Sequence, residues 1–226
     1  MKKLIVLIIL IRITTACQSD IYRDENGIIK CGDDVSIGFI GEVDGVSYKV
    51  IDSTMLYTMV KNNEDLRFIC TSKITDMSYL FYYSNFNGDI SNWDVSNVND
   101  MKSMFEYSEF NGDISKWDVG SVVNMGGMFM HSKFNKDISN WDVSNVNDMS
   151  LMFVFSEFNG DLSNWDVSMV NDMSSMFFYS EFDGDISNWD VNNVTDMGEI
   201  FQGSKLPMKF RPKFKPSTLE KYLEYN

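Results

Sequence analysis

FNGDISKWDVGSVVNMGGMFMHSK, residues 110–133, recurs with the same spacing on both sides of itself. The repeat length is 24 residues, and the units contain no insertions. The five tryptophans of the chain mark this period: Trp93, Trp117, Trp141, Trp165 and Trp189. A period of this length, kept without insertions, is typical of a solenoid in which each repeat forms one coil stacked on the last.

Each unit contains an alternating segment followed by a segment of helical spacing. Trp93, Asp94 and Val95 alternate, which predicts a short strand with both apolar side chains inward and the carboxylate outward. Met101 and Phe105 follow at helical spacing, which predicts a short helical turn. The sequence therefore predicts an α/β solenoid of 24-residue coils with terminal caps.

The segments on either side of the repeats carry turn and helix-cap signals of their own, and these predict the organisation of the chain. Asp44 and Gly45 predict a hairpin turn, and Asp52 or Ser53 is expected to cap a short helix after it. A capping-box sequence at residues 217–220 predicts a final short helix reaching Tyr225. The predicted organisation is a signal peptide at 1–16, an N-terminal β-rich capping module at 17–63, the solenoid at 64–205, and a C-terminal cap or tail at 206–226.

The first 16 residues predict an export signal. Lys2 and Lys3 form a basic start, and residues 4–11 form an apolar run too short to span a bilayer. Ala16 directly precedes Cys17, an arrangement that resembles the lipobox of bacterial lipoproteins, whose cysteine is lipidated. We therefore expect lipidation of Cys17 and a cell-surface or outer-membrane lipoprotein, with plain secretion or a retained anchor as the alternatives.

Two further cysteines, Cys31 and Cys70, remain after Cys17. An even number of cysteines in an exported protein indicates a disulfide bond. The alternative is a pair of buried free thiols.

The charge of the chain restricts its partners. Its 33 acidic and 19 basic side chains give a formal net charge of −14. Such a surface repels nucleic-acid phosphates and anionic lipid headgroups. We therefore expect no nucleic-acid partner, and membrane contact only through a lipid on Cys17.

The repeat units also carry a family resemblance. DISNWDVSNVNDM and MFxYSxFNGD resemble the surface-protein repeats called DUF285 or BspA-like leucine-rich repeats, found in mycoplasmas and in Bacteroidetes-type bacteria. The spacing of Ile90, Trp93, Val95 and Val98 is similar to the L-x-x-L-x-L frame of leucine-rich repeats. The resemblance implies a leucine-rich-repeat-like array, surface display, adhesion and partner binding.

Stacked coils place equivalent side chains in columns about 4.8 Å apart, so the aspartates of one column repel each other. Internal hydrogen bonds are one way to offset that repulsion, and bound calcium is the other. The column that defines the candidate calcium site is Asp94, Asp118, Asp142, Asp166 and Asp190. The predicted partner-binding face joins this column to its neighbour: Asn92, Asp94, Lys116, Asp118, Asn140, Asp142, Asn164, Asp166, Asn188 and Asp190.

No catalytic residue is predicted. Paired carboxylates arise here from periodicity alone, and the single histidine, His131, occupies an aromatic column and is expected to be a packing substitute. No phosphate loop or nucleophile signature is present. The sequence therefore predicts a non-catalytic surface module that binds a protein or a glycan, with a coat spacer stabilised by calcium as the alternative.

Overall fold

The computed structural model describes residues 20–218. The predicted signal peptide and Cys17 lie outside the described residues, as does the part of the predicted final helix from residue 219 to Tyr225. Residues 216–218 are helical, so the helix begins one residue before the predicted cap at Ser217.

Four strands and one helix form the N-terminal module. Strand β1 (Ile21–Arg23) pairs antiparallel with β2 (Ile29–Cys31), and β3 (Ile40–Val43) pairs antiparallel with β4 (Val46–Val50). The turn between β3 and β4 is the predicted Asp44-Gly45 pair, with φ angles of 54° and 79°. Helix α1 (Ser53–Lys61) follows, and Asp52 caps it by accepting a hydrogen bond from the Met55 backbone N–H at 2.8 Å. The predicted hairpin and capped helix are both confirmed.

The N-terminal module is joined to the first two coils by strand pairing. Strand β5 (Ile69–Cys70), in the first unit, pairs in parallel with β4. In the second unit, Trp93 forms a parallel bridge with Ile29 of β2. The module therefore continues the stack at its N-terminal end and covers apolar surface that a terminal coil would otherwise expose.

Backbone hydrogen bonds connect each coil to the next in a regular pattern. The N–H groups of Met77, Tyr79, Phe81 and Tyr83 donate to carbonyls of the following coil at 2.8–3.0 Å. The carbonyls of the first three accept from N–H groups three residues later in their own coil. N–H groups therefore donate alternately to their own coil and to the following one, and equivalent residues repeat this pattern along the array.

The path of the chain within a coil differs from the predicted strand and helical turn. Met101 and Phe105 lie in consecutive turns, because Ser103 and Tyr107 have φ angles of 52° and 53°. A helix would use every N–H within itself, whereas these left-handed residues direct alternate N–H groups to the next coil. The Trp-Asp-Val segment is not a strand of its own. The bridges between coils fall instead on another column: Asp76, Asp100, Asn124, Asp148, Asp172 and Asp196.

The core of the array follows the repeat. In the second unit Ile90, Trp93, Val95, Met101 and Phe105 are each at most 1% exposed. Equivalent residues of the next three units are also buried. Each indole N–H donates to a carbonyl 27 residues earlier, so every tryptophan ties its coil to the one before it.

The C-terminal segment covers the last coil. A 3₁₀ helix (Met208–Phe210) follows Pro207, and the Phe210 carbonyl accepts the N–H of Ile186 at 3.1 Å. Arg211 donates to the carbonyl of Leu206, and the buried Thr218 hydroxyl donates to the carbonyl of Val194. The bonds to Ile186 and Val194 attach the C-terminal segment to the last coil.

The two cysteines predicted to form a disulfide bond lie together as free, buried thiols. Burial, followed by the neighbouring Cys70, raises the pKa of Cys31 to about 12. Because the thiolate is the reactive form, this raised pKa keeps the Cys31 thiol mainly protonated at neutral pH while both thiols are reduced. The disulfide itself stays a prediction.

Because the sequence predicts export, we expect an unreduced digest of the protein to contain a peptide pair joined through Cys31 and Cys70. The two thiols interact in the fold, and an oxidising compartment favours a bond between them. Mass spectrometry before and after reduction measures the linkage. Recovery of both peptides with free thiols from the unreduced sample would contradict the prediction.

Candidate interaction face

Six side chains of the predicted binding face form an exposed surface on three successive coils, which we call the interaction face. Each coil contributes an asparagine and an aspartate, separated by a buried tryptophan. All six side chains are exposed: Asn140, Asp142, Asn164, Asp166, Asn188 and Asp190. Lys116 and Asp118, on the coil before, are also exposed.

The first predicted pair, Asn92 and Asp94, is covered by the N-terminal module. Asn92 is half-buried, and its backbone carbonyl accepts the Ile29 N–H at 2.9 Å. Asp94 is only 5% exposed, and its Oδ2 accepts the Ser72 hydroxyl proton at 2.5 Å. These two residues therefore support the junction between the module and the array instead of presenting a free surface.

The aspartates of the candidate calcium column are hydrogen-bonded to their own coils. In each of the five, Oδ1 accepts the backbone N–H two residues later at 3.0–3.2 Å. The Ser96 and Ser144 hydroxyls add bonds of 2.6 Å to Asp94 and Asp142. This arrangement supplies the internal hydrogen bonds that offset repulsion along the column. No group of three or more acidic, histidine or cysteine side chains suited to a metal occurs within residues 20–218.

A cleft of about 390 Å³ lies between the N-terminal module and the first coils. Arg23, Arg67 and Lys116 line it, together with Asn92 and the aromatic ring of Phe68. Sequence reasoning missed this cleft, because Arg23 and Arg67 lie outside the tryptophan repeats and nothing in their spacing connects them.

The cations of the cleft are largely engaged with the protein itself. Arg23 forms an ion pair with Asp44 at 3.1 Å, and Arg67 forms one with Asp65 at 2.7 Å. Lys116 donates to the carbonyl of Asn26 at 3.1 Å. The cleft therefore combines positive charge with compensating carboxylates, and it carries little net attraction for a free anion.

A second column of the repeat forms a stack of aromatic rings along the surface, which we call the aromatic ladder. The ring centroids of successive members lie 4.3, 4.4, 4.7 and 5.2 Å apart. His131 lies between two of the rings, in agreement with the packing role predicted for it, and burial lowers its pKa. Every member has a positive φ angle. The ladder consists of Tyr83, Tyr107, His131, Phe155 and Tyr179.

A further aspartate column stabilises the turn at the start of each unit. Asp161 accepts the Ser163 N–H at 2.9 Å, and this backbone bond, followed by the Ser163 side chain, lowers the pKa of Asp161. Equivalent bonds lower the pKa of Asp113, Asp137 and Asp185. Folding thus favours the ionised form of all four carboxylates.

We expect stability to fall on acidification below about pH 4, the range of an unfolded aspartate. A depressed folded pKa contributes stability above the unfolded pKa, and this contribution is lost as pH falls through the folded value. Replacing all four turn aspartates by asparagine should flatten this dependence, because the amide oxygen still accepts the serine N–H but does not titrate. Urea unfolding from pH 2 to pH 7 tests this. An unchanged slope in the variant would show that other groups control the acid transition.

The stacked 24-residue units define this chain as a repeat protein. A family model described as "Mycoplasma protein of unknown function, DUF285" matches residues 52–157 and 130–209. These spans together cover residues 52–209, well over half of the 226-residue chain, and the chain therefore belongs to the DUF285 family. No curated protein and no solved structure matches it. Within residues 20–218, no helix is long and apolar enough to cross a membrane.

Proposed function

We propose that the chain is a non-catalytic cell-surface module of the adhesion type that binds a protein or a glycan through the interaction face. The observation that carries the proposal is the repetition of an exposed asparagine and aspartate pair over a buried core on three successive coils. Repeat proteins use such extended surfaces to bind partners without a catalytic centre. In this proposal a lipid on Cys17 holds the exported protein at the cell surface or outer membrane, as a leucine-rich-repeat-like solenoid.

Charge reversal on the face tests the proposal. We expect Asp142→Lys combined with Asp166→Lys to reduce binding of the full chain to host or neighbouring cells at least about tenfold, because a reversed charge in an interface opposes complementarity. Flow cytometry with labelled protein measures the binding.

The matched control is Asp137→Lys combined with Asp161→Lys. This variant changes the net charge by the same amount as the test variant. Like the test variant, it also removes two hydrogen bonds in which an aspartate accepts the backbone N–H two residues later. Equal loss of binding in both variants would refute the interaction face as the binding surface.

The alternative proposal is a structural coat spacer stabilised by calcium on the column from Asp94 to Asp190. One observation favours it: Asp118 and Asp142 approach the same point beside Gly120. A Cβ atom added to Gly120 would lie 3.3 Å from Asp118 Oδ1 and 3.6 Å from Asp142 Oδ2. Calcium takes oxygen ligands of this kind, but it requires several of them.

Thermal unfolding in calcium and then in excess chelator distinguishes the two proposals. Calcium held at about 100 times its dissociation constant would add about 2.7 kcal/mol of stability. Because the carboxylates are hydrogen-bonded within their own coils, we expect no shift. A clear rise in melting temperature with calcium would favour the spacer.

A further inference from the structure

The two ends of the aromatic ladder differ. At its C-terminal end, the next position in the column is Gly203, with a φ angle of 68°. A Cβ atom added there would lie 2.7 Å from two carbons of the Tyr179 ring, so this ring packs directly against the glycine backbone. The protein itself therefore closes the ladder at Tyr179.

At the N-terminal end, Tyr83 is 62% exposed and lines a cleft of about 470 Å³. One face of its ring stacks on Tyr107. Tyr82 meets it at an interplanar angle of 81°, so Tyr82 does not continue the parallel stack. The cleft also contains residues of α1 and of the segment after it, which precede the ladder in the chain. Tyr83 thus has a parallel ring on one side only, and its 62% exposure leaves ring surface on which a further flat group can stack.

The other groups around the cleft are suited to hydroxyls. Asn63 and Asn85 are exposed and offer amide donors and acceptors, and Glu64 offers a carboxylate. Glu64 is the only charged residue in the lining, and no cation accompanies it. This electrostatic environment disfavours phosphates and acidic sugars.

We propose that this cleft binds one ring of a neutral sugar. The electron-rich face of Tyr83 attracts the positively polarised C–H groups of a pyranose ring, and the sugar hydroxyls exchange hydrogen bonds with Asn63, Glu64 and Asn85. An aromatic side chain of a protein partner would stack equally well, but it would desolvate these polar groups without bonding to them. The polar lining therefore favours the sugar.

The test is a ligand-observed NMR titration of the full chain with the methyl glycosides of glucose, galactose and N-acetylglucosamine. Tyr83→Asn is compared with Tyr179→Asn, which removes a ring from the closed end. Both positions have positive φ angles, 53° and 49°, at which asparagine is well tolerated. Asn85→Ala is a second, exposed variant that leaves the ladder intact.

We expect at least one glycoside to bind the parent and Tyr179→Asn equally. Tyr83→Asn should weaken that binding at least about tenfold, and Asn85→Ala should weaken it measurably. The proposal is overturned if no glycoside binds, or if Tyr83→Asn and Asn85→Ala both bind as the parent does. It is also overturned if N-acetyltyrosine amide binds at Tyr83 while the glycosides do not. The cleft shares no residue with the interaction face. A negative result for sugar binding therefore leaves the function proposed above untouched.

Discussion

Trp141→Ala is expected to lower the free energy of unfolding by about 3–5 kcal/mol. Trp141 is 4% exposed, its ring packs against Phe129, and its indole N–H donates to the Ile114 carbonyl at 3.1 Å. The variant leaves a cavity between two coils in the centre of the array, where little can move to fill it. Urea unfolding followed by circular dichroism measures the change.

Two further variants serve as comparisons: one keeps an aromatic ring at position 141, and one changes an exposed neighbouring residue. Trp141→Phe should cost less, about 1–2 kcal/mol, because it removes the indole N–H and only part of the ring, and the Ile114 carbonyl still accepts the backbone N–H of Trp117. Asn140→Ala, at the exposed neighbouring position, should change stability by no more than about 0.5 kcal/mol. A loss below about 1 kcal/mol for Trp141→Ala would show that the coils do not pack as described.

Asp94→Ala is expected to destabilise the protein by about 1.5–3 kcal/mol, the usual cost of losing buried hydrogen bonds to a charged group. Asp94 connects Ser96 of its own coil to Ser72 of the coil before. The Ser72 hydroxyl also accepts the Cys31 N–H at 3.2 Å, so the bonds reach the N-terminal module. Removing the carboxylate leaves a buried hydroxyl without its acceptor.

Asp142→Ala is the matched control, because Asp142 makes the same two bonds to its own coil through Ser144 but is exposed. It should cost no more than about 1 kcal/mol. Thermal unfolding of the two variants, with Ser72→Ala completing a double-mutant cycle at Asp94, apportions the difference. Equal losses at Asp94 and Asp142 would mean that the burial of Asp94 under the N-terminal module and its bond to Ser72 add nothing to stability.

The composition of the core was predictable from sequence, whereas the path of the backbone was not. Burial follows the 24-residue period because equivalent residues share one environment, so the tryptophan and phenylalanine columns identify the core directly. Apolar residues four apart fit a helix and a pair of successive turns equally well. The left-handed φ angles at Ser103 and Tyr107 decide between them, and neither residue type signals such an angle as glycine does.

The candidate site was predicted in part for a similar reason. The repeat identifies the exposed pairs on the later coils, since their environment is the same in each unit. It gives no information on the non-repeating module, so the covering of Asp94 through Ile29 and Ser72 was not foreseen. The open end at Tyr83 was also missed, because a column of aromatic residues looks like core until its exposure is known.

The tryptophan bonds have a consequence for how such a chain can change in length. Each indole N–H binds a carbonyl 27 residues earlier, and five successive tryptophans do so in the same way. The surface that one coil presents to the next therefore matches the surface that any other coil presents to the one before it. Duplication or deletion of 24 residues within the array would rejoin matching surfaces. Relatives that gained or lost units in this way would differ in array length by steps of about 4.8 Å.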